Sequence, residues 1–590
     1  MTHPRTPVEP SPRLARLLPG FHRLRHYERS WLRFDVLAGI TVAAYLVPQV
    51  MAYAGVAGLP PVAGLWAIMP ALFVYAFVGS SRQLSVGPES TTALMTATAV
   101  GGLAAGSATE YAALAAALAI VVGILSVLAY FARLGFLAEL LSKPVLTGYM
   151  AGVAIIMIIS QLSKVTGIEI EGDTLIEEVR SFVTNFDELN VGIAAFAAAV
   201  LALMLVGAKL RPKWPWPLIA IVLATGAVAV LGLDEWLPVV GPIPVGIPAP
   251  QVPAISLDQL ESLLLPAVGV LIVGYSDNVL TARAFADRND YTIDANQELL
   301  SLGGSNMATG LFQGFPVSSS GSRTVIGDSL GSKSQLYSLV ALTGVVLVLL
   351  FLGPVLALFP YAALGAIVIY AATRLIDIAE FTRIRQFRTS ELVLALSTTV
   401  GVLLFDILYG VLIAVALSLI DLLRRVARPH DRILGYVPGL AGMHDIDDYE
   451  TARLVPGLIV YRYDSPLFFA NGDDFRRRAI GALDVAEEPV EWFVLNAEAN
   501  VEIDITAVDA MAELVEELRK RGVVFAMARV KQDLRDEFEA GGFIDLVGED
   551  RIFPTLPTAV AAYVEWYTER HGTAPRGVDI QPPPSAPFTS

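Results

Sequence analysis

Apolar residues run along the first two thirds of the chain in blocks of the length a membrane helix requires, about 20 residues. Candidate spans fall at 34–56, 61–79, 110–132, 145–166, 191–208, 215–232, 262–286, 292–312, 335–353, 356–373, 391–404 and 406–427, and two further segments, 88–103 and 317–330, are short and interrupted. Arginine and lysine gather at Arg133/Lys143, Lys209/Arg211/Lys213, Arg283/Arg288, Arg374 to Arg388 and Arg424 to Arg428, whereas 169–188 and 233–260 are acidic or proline-rich. The alternation predicts fourteen passes with both ends in the cytoplasm. Six arginines between Arg13 and Arg33 agree with a cytoplasmic start, and the polar, proline-containing stretch Met1–Ser11 predicts no cleaved signal peptide.

Beyond Arg428 the pattern changes. Buried-strand runs at 457–463, 492–496 and 523–528 alternate with helical runs at 473–483, 507–521 and 531–540, which predicts a small α/β domain. Of a net charge of -16, residues 431–590 contribute 29 acidic against 15 basic side chains, leaving the membrane part near neutral. The expected organisation is a cytoplasmic segment (1–30), a transmembrane domain (31–428), a linker (429–450), a soluble domain (451–572) and a disordered proline-rich tail (573–590).

With 54% hydrophobic and 17% charged residues and a mean hydropathy of +0.59, the chain is neither an ordinary soluble enzyme nor disordered. The absence of cysteine excludes thiolate catalysis, zinc ribbons and iron–sulfur clusters, and six histidines are few for a metal centre. No cofactor or metal is expected. Neither a GxGxxG run nor a Walker A motif is present, and an acidic soluble domain is a poor nucleic-acid partner.

The two short segments carry the chemistry. One reads Ser85-Val-Gly87-Pro88-Glu89-Ser90, the other Gly314-Phe-Pro316-Val317-Ser318-Ser319-Ser320-Gly321-Ser322-Arg323-Thr324. Each places Gly and Pro directly before a short Ser/Thr-rich helix. Either motif alone reads as a proline kink. The two together, third and tenth in halves of seven, read as the broken helices of an inverted-repeat transporter. Two half-helix N-termini meeting near the midplane concentrate free N–H donors and about half a positive charge each, a site for an anion.

Asp277, in an otherwise apolar span with Thr281 one turn on, is read as a coupling-cation site or as a structural partner of Arg283 or Arg323. Glu89 is either a helix cap or a group protonated beside the anion; Arg323 either attracts the anion or neutralises Asp277 or Glu89. Gln49, after Pro48 and with Tyr53 nearby, supplies neutral donors and a wall, or packs. The polar intramembrane residues form no nucleophile–base pair, so enzymatic activity is not expected.

The run Pro48-Gln-Val-Met-Ala-Tyr-Ala-Gly-Val-Ala-Gly-Leu-Pro-Pro-Val-Ala-Gly-Leu, the run Gly79-Ser-Ser-Arg-Gln-Leu-Ser-Val-Gly-Pro and the soluble tail together resemble the sulfate permease family, bacterial relatives of the solute carrier 26 anion transporters, with a C-terminal STAS domain. The resemblance implies a seven-plus-seven inverted repeat with core and gate subdomains, an elevator-like movement and a homodimer. It puts Glu89 and Ser90 at a third-segment substrate position, and Ser319, Ser320 and Gly321 on the anion-binding tenth segment. Arg323 matches a common tenth-segment arginine, and Asp277 with Thr281 matches an eighth-segment acid and hydroxyl that hold sodium or a proton. The acid at Glu89 departs from many members and favours proton coupling. In the tail, Asp504-Ile505-Thr506-Ala507 replaces a phosphorylation motif and lacks its acceptor serine. The expectation is proton-coupled sulfate uptake; the alternatives are sodium-coupled bicarbonate transport and an anion-sensing regulator signalling through a protein partner of the STAS domain.

Overall fold

The computed structural model describes residues 17–576 apart from 105–106, 137–141, 171, 173, 212–213, 245, 439, 441 and 487. From residue 577 on, the tail expected to be disordered lies outside these. The chain divides into two units, the second starting at Leu419, so the boundary falls inside the last membrane helix rather than after Arg428.

In the first unit the main helices are α1 (Leu32–Val56), α2 (Val62–Val78), α3 (Ser90–Gly101), α4 (Ala108–Phe131), α5 (Lys143–Ser160), α6 (Val191–Leu210), α7 (Trp216–Leu231), α8 (Leu257–Arg288), α9 (Ala295–Leu311), α10 (Gly321–Ser329), α11 (Leu336–Phe351), α12 (Tyr361–Leu375) and α13 (Thr389–Ala427). Two-residue strands, β1 (Val86–Gly87) and β2 (Ser318–Ser319), precede α3 and α10. Starts are set by local chemistry: Ser256 and Gln259 form a capping box on α8, and Asn190 and Asp294 accept first-turn N–H groups of α6 and α9. Gly232, in the left-handed region at φ 62°, ends α7.

Helix α13 is 39 residues long, about 58 Å if straight, far more than one bilayer core. It is not straight. A Cβ on Gly410 would lie 2.7 Å from the Cα of Val402, although a straight helix separates residues eight apart by about 12 Å. The chain doubles back between them, and its arms correspond to the last two predicted spans. With these arms the described helices make fourteen segments.

The segments pack as two bundles. Helix α9 lies against α2 and α4, α11 against α1 and α2, and α8 against α4; separately, α12 packs on α5 and α6, and α6 on α7. Helix α1 is touched from both sides, by α11 and by α7 and α12. Its approach to α2 depends on one missing side chain, since a Cβ on Gly64 would lie 1.9 Å from the carbonyl oxygen of Val50. Gly64→Ala is expected to force these helices apart at a cost of about 1–3 kcal/mol. A lowered melting temperature in detergent checks this; an unchanged one contradicts it.

Helix α9 fills most of the predicted span 292–312 but is polar for a membrane crossing, and Gln297, Glu298, Ser301, Ser305, Asn306 and Thr309 are all buried. Partners offset the desolvation. Glu298 accepts from Tyr75 Oη (2.9 Å), Ser80 N (2.9 Å), Ser80 Oγ (2.7 Å) and Asn278 Nδ2 (2.7 Å).

The second unit holds a six-stranded sheet ordered β4-β3-β5-β6-β7-β8, from β3 (Asp431–Tyr436), β4 (Met443–Asp445), β5 (Leu458–Tyr463), β6 (Trp492–Asn496), β7 (Val524–Ala528) and β8 (Ile552–Phe553). Strands β5 to β8 are parallel and β3 is antiparallel to both neighbours. Helices α14 (Gly472–Ala482), α15 (Ile505–Lys520) and α16 (Gln532–Ala540) cover one face through Phe475, Leu514 and Phe538; α17 (Leu556–His571) covers the other through Leu556 and Tyr563. Strands β3 and β4 correct the expected linker: Asp431–Tyr436 and Met443–Asp445 belong to the sheet. Their charged residues hid them, Asp431 accepting from Tyr461 Oη (2.8 Å) and from Arg478 Nη1 (2.6 Å).

Candidate anion site at two half-helices

Strands β1 and β2 pair antiparallel, Val86 opposite Ser319 and Gly87 opposite Ser318, with Ser320 N donating to Ser85 O (2.9 Å). A non-helical backbone inside an apolar bundle leaves donors and acceptors that must be met by protein. The pairing meets some of them. Thr324 Oγ1 meets more, accepting from Ser85 N (3.0 Å) and donating to Ser320 O (2.7 Å). Asn306 of α9 clamps the strand entrance, its Oδ1 accepting from Val317 N (2.9 Å) and its Nδ2 donating to Val317 O (3.0 Å).

Arg323, fully buried on α10, ties the half-helices together. Its Nε donates to Ser85 Oγ (3.2 Å), and its Nη1 donates to Pro88 O (2.9 Å) and Gln49 Oε1 (3.2 Å). All three acceptors are neutral. Among the described residues Arg323 makes no direct ion pair with Asp277 or Glu89. Its Nη2 is buried without a hydrogen-bond partner. Gly87 makes room for the guanidinium, since a Cβ there would lie 3.2 Å from Nη2 and 1.9 Å from Ile68 Cδ1.

Gln49 is buried beside it, its Nε2 donating to Tyr53 Oη (3.1 Å) and to Ser322 Oγ (3.2 Å). Ser318, Ser319 and Ser320 are buried, but Gly321 and Ser322, which open α10, are exposed, and nothing lies within 4 Å of a Cβ built on Gly321. The first turn of α10 therefore faces open space. Glu89 caps α3, its Oε2 accepting from Thr91 N (2.8 Å) and its Oε1 from Ser90 Oγ (2.6 Å), so Ser90 is turned to the cap. Half-buried Asp277 accepts from Ser319 Oγ (2.8 Å), which joins α8 to β2. Thr281 sits one turn further along α8, half-buried. Sequence reasoning placed Tyr53 beside Gln49 as a wall but did not name Ser85, Asn306, Ser322 or Thr324 as site residues; Ser85, Ser322 and Thr324 lie inside the two Gly-Pro motifs, and Asn306 had no signal.

An open polar centre, built where two interrupted helices begin inside an apolar bundle, defines a solute transporter of the membrane. Residues 32–398 match the sulfate permease family and residues 449–559 the STAS domain. A probable sulfate transporter of Mycobacterium tuberculosis strain H37Rv is 57% identical over 546 residues, 92% of this chain and 98% of the relative. The chloroplastic sulfate transporter 4.1 of Arabidopsis thaliana is 32% identical over 572 residues, 93% and 83% of the two chains. The chain belongs to the sulfate permease family, and it is thus an anion transporter rather than an enzyme. Its fold is that of the murine solute carrier 26 family member A9 anion transporter, with a TM-score of 0.86 at 24% identity over 92% of this chain and 94% of that one. The transmembrane domain of the cyanobacterial bicarbonate transporter BicA aligns with 65% of this chain and 98% of its own, with a TM-score of 0.60 at 22% identity.

In the STAS unit, Asp504 caps α15, with Oδ1 accepting from Ala507 N (2.9 Å) and Oδ2 from Phe469 N (2.7 Å). Ile505 stands exposed where the phosphorylation motif would have its serine.

Proposed function

We propose that the protein takes up sulfate together with protons, holding the anion between the N-termini of α3 and α10. The observation that carries this reading is the open first turn of α10, flanked by serine hydroxyls and backed by the buried charge of Arg323. A tetrahedral oxyanion accepts from many donors at once, and a water-poor setting strengthens each contact. The Ser319–Asp277 hydrogen bond supports coupling, because protonation of Asp277 is felt at the strand that leads into the anion site. Thr281 would complete the coupling site, and Glu89 would set the charge on the opposite side.

The antiparallel β1–β2 pairing supports two inverted halves of seven, and the meeting of two bundles along α1 supports an elevator-like movement of one against the other. The protein would work as a homodimer in the cell membrane with both termini in the cytoplasm. Exposed Phe469 and Ile505 offer the STAS unit a surface for a regulatory protein.

Uptake of radiolabelled sulfate into proteoliposomes tests the proposal. With the membrane potential held at zero, acidifying the outside by one unit is expected to raise accumulation up to about tenfold for each proton carried with the sulfate dianion, since one pH unit is about 1.4 kcal/mol per proton, and two protons make the cycle electroneutral. A sodium gradient is expected to do nothing. Sodium-driven bicarbonate flux, or anion binding without flux, would replace this reading.

A further inference from the structure

At the start of α1, Arg29, Leu32, Arg33, Val36, Leu37 and Ile40 line an open groove of about 710 Å³. Positions 29, 33, 36/37 and 40 recur at helical spacing, so they form one face, cationic at its beginning and apolar further along. Leu37 and Ile40 are 54% and 58% exposed. Arg33 rests its guanidinium carbon 4.5 Å from the centre of the Phe34 ring. Among the described residues neither Arg29 nor Arg33 is paired with a carboxylate, and the groove lining contains no acid.

We propose that this groove is a binding site for an anionic phospholipid, with the phosphate between Arg29 and Arg33 and an acyl chain along Val36, Leu37 and Ile40. Charge complementarity selects the headgroup and the apolar wall selects a lipid over a free phosphate. The chain's own first sixteen residues are a poor occupant, because they carry three arginines and one glutamate. The site lies on the helix that both bundles touch, so an occupant there bears on their relative movement.

The test uses the purified full-length protein in nanodiscs and native mass spectrometry to count retained phosphatidylglycerol against phosphatidylcholine. The expected result is a preference for phosphatidylglycerol on the order of tenfold, as two interfacial arginines provide. Arg29→Gln/Arg33→Gln should lose the preference, whereas Arg29→Lys/Arg33→Lys should keep most of it. Arg385→Gln, an exposed arginine outside the groove, should leave it intact. Equal retention of the two lipids, or equal loss in the Arg385 variant, would overturn the site. Displacement of the lipid by soluble glycerol 3-phosphate at matched concentration would overturn the assignment to a lipid.

Discussion

Replacing Arg323 with alanine is expected to abolish transport while leaving the protein in the membrane. The side chain makes three hydrogen bonds from a fully buried guanidinium, and two of them, to Pro88 O and Ser85 Oγ, reach across from α10 to the chain that leads into α3. Hydrogen bonds to a charged group contribute about 1.5–3 kcal/mol each, and the acceptors left behind in the bundle have no water to turn to. Loss of two such contacts corresponds to a change of about 100-fold or more in any equilibrium that needs the half-helices together. Sulfate uptake should therefore fall to background, and so should sulfate binding to the detergent-purified variant. Arg323→Lys should fail as well, because an ammonium has no planar fork to serve Ser85 on one side and Gln49 and Pro88 on the other. Uptake near the original rate in either variant would show that the arginine is dispensable and that β1 and β2 hold the site unaided.

The second large effect is expected at Asp277. Asparagine in its place still presents an oxygen to Ser319 Oγ, so the geometry at β2 should survive, but the proton-carrying group is gone. Asp277→Asn should exchange sulfate for sulfate across the vesicle membrane yet lose accumulation driven by a pH gradient, its inside-to-outside ratio falling to about 1. Glu89→Gln is the informative partner. An amide oxygen can still accept from Thr91 N, so α3 remains capped while the charge is removed. If proton coupling runs through Asp277 alone, this variant keeps its accumulation; if both acids take part, it loses it too. Full gradient-driven accumulation by Asp277→Asn would remove Asp277 from the coupling mechanism.

Much of the architecture can be read along the chain because the bilayer imposes a length on each crossing. The blocks at 34–56, 110–132 and 191–208 became α1, α4 and α6 nearly residue for residue, and the short segments became α3 and α10 with their Gly-Pro strands in front. Even the doubled-back α13 was visible as two short apolar runs. Strands β3 and β4 were not, because Asp431, Arg432, His444 and Asp445 break the alternation that marks a strand. Their stability comes from pairing of β3 with β5 and of β4 with β3, and from ion pairs such as Arg432 with Asp445, contacts that no local sequence pattern marks.

The sequence by itself determined where the membrane helices start and stop, where charge divides the chain, and that two interrupted helices occupy matching places in its halves. Local rules suffice for these, since each depends on a few neighbouring residues and the thickness of the hydrocarbon. The tertiary structure alone decided what the polar residues in those places do. It turned Arg323 toward Ser85, Gln49 and Pro88 rather than toward a carboxylate, gave both oxygens of Glu89 to the first turn of α3, and set Asn306 as the clamp on Val317. A buried polar group takes whichever partner the packing brings within 3 Å or so, and which partner that is depends on how the halves of the chain meet.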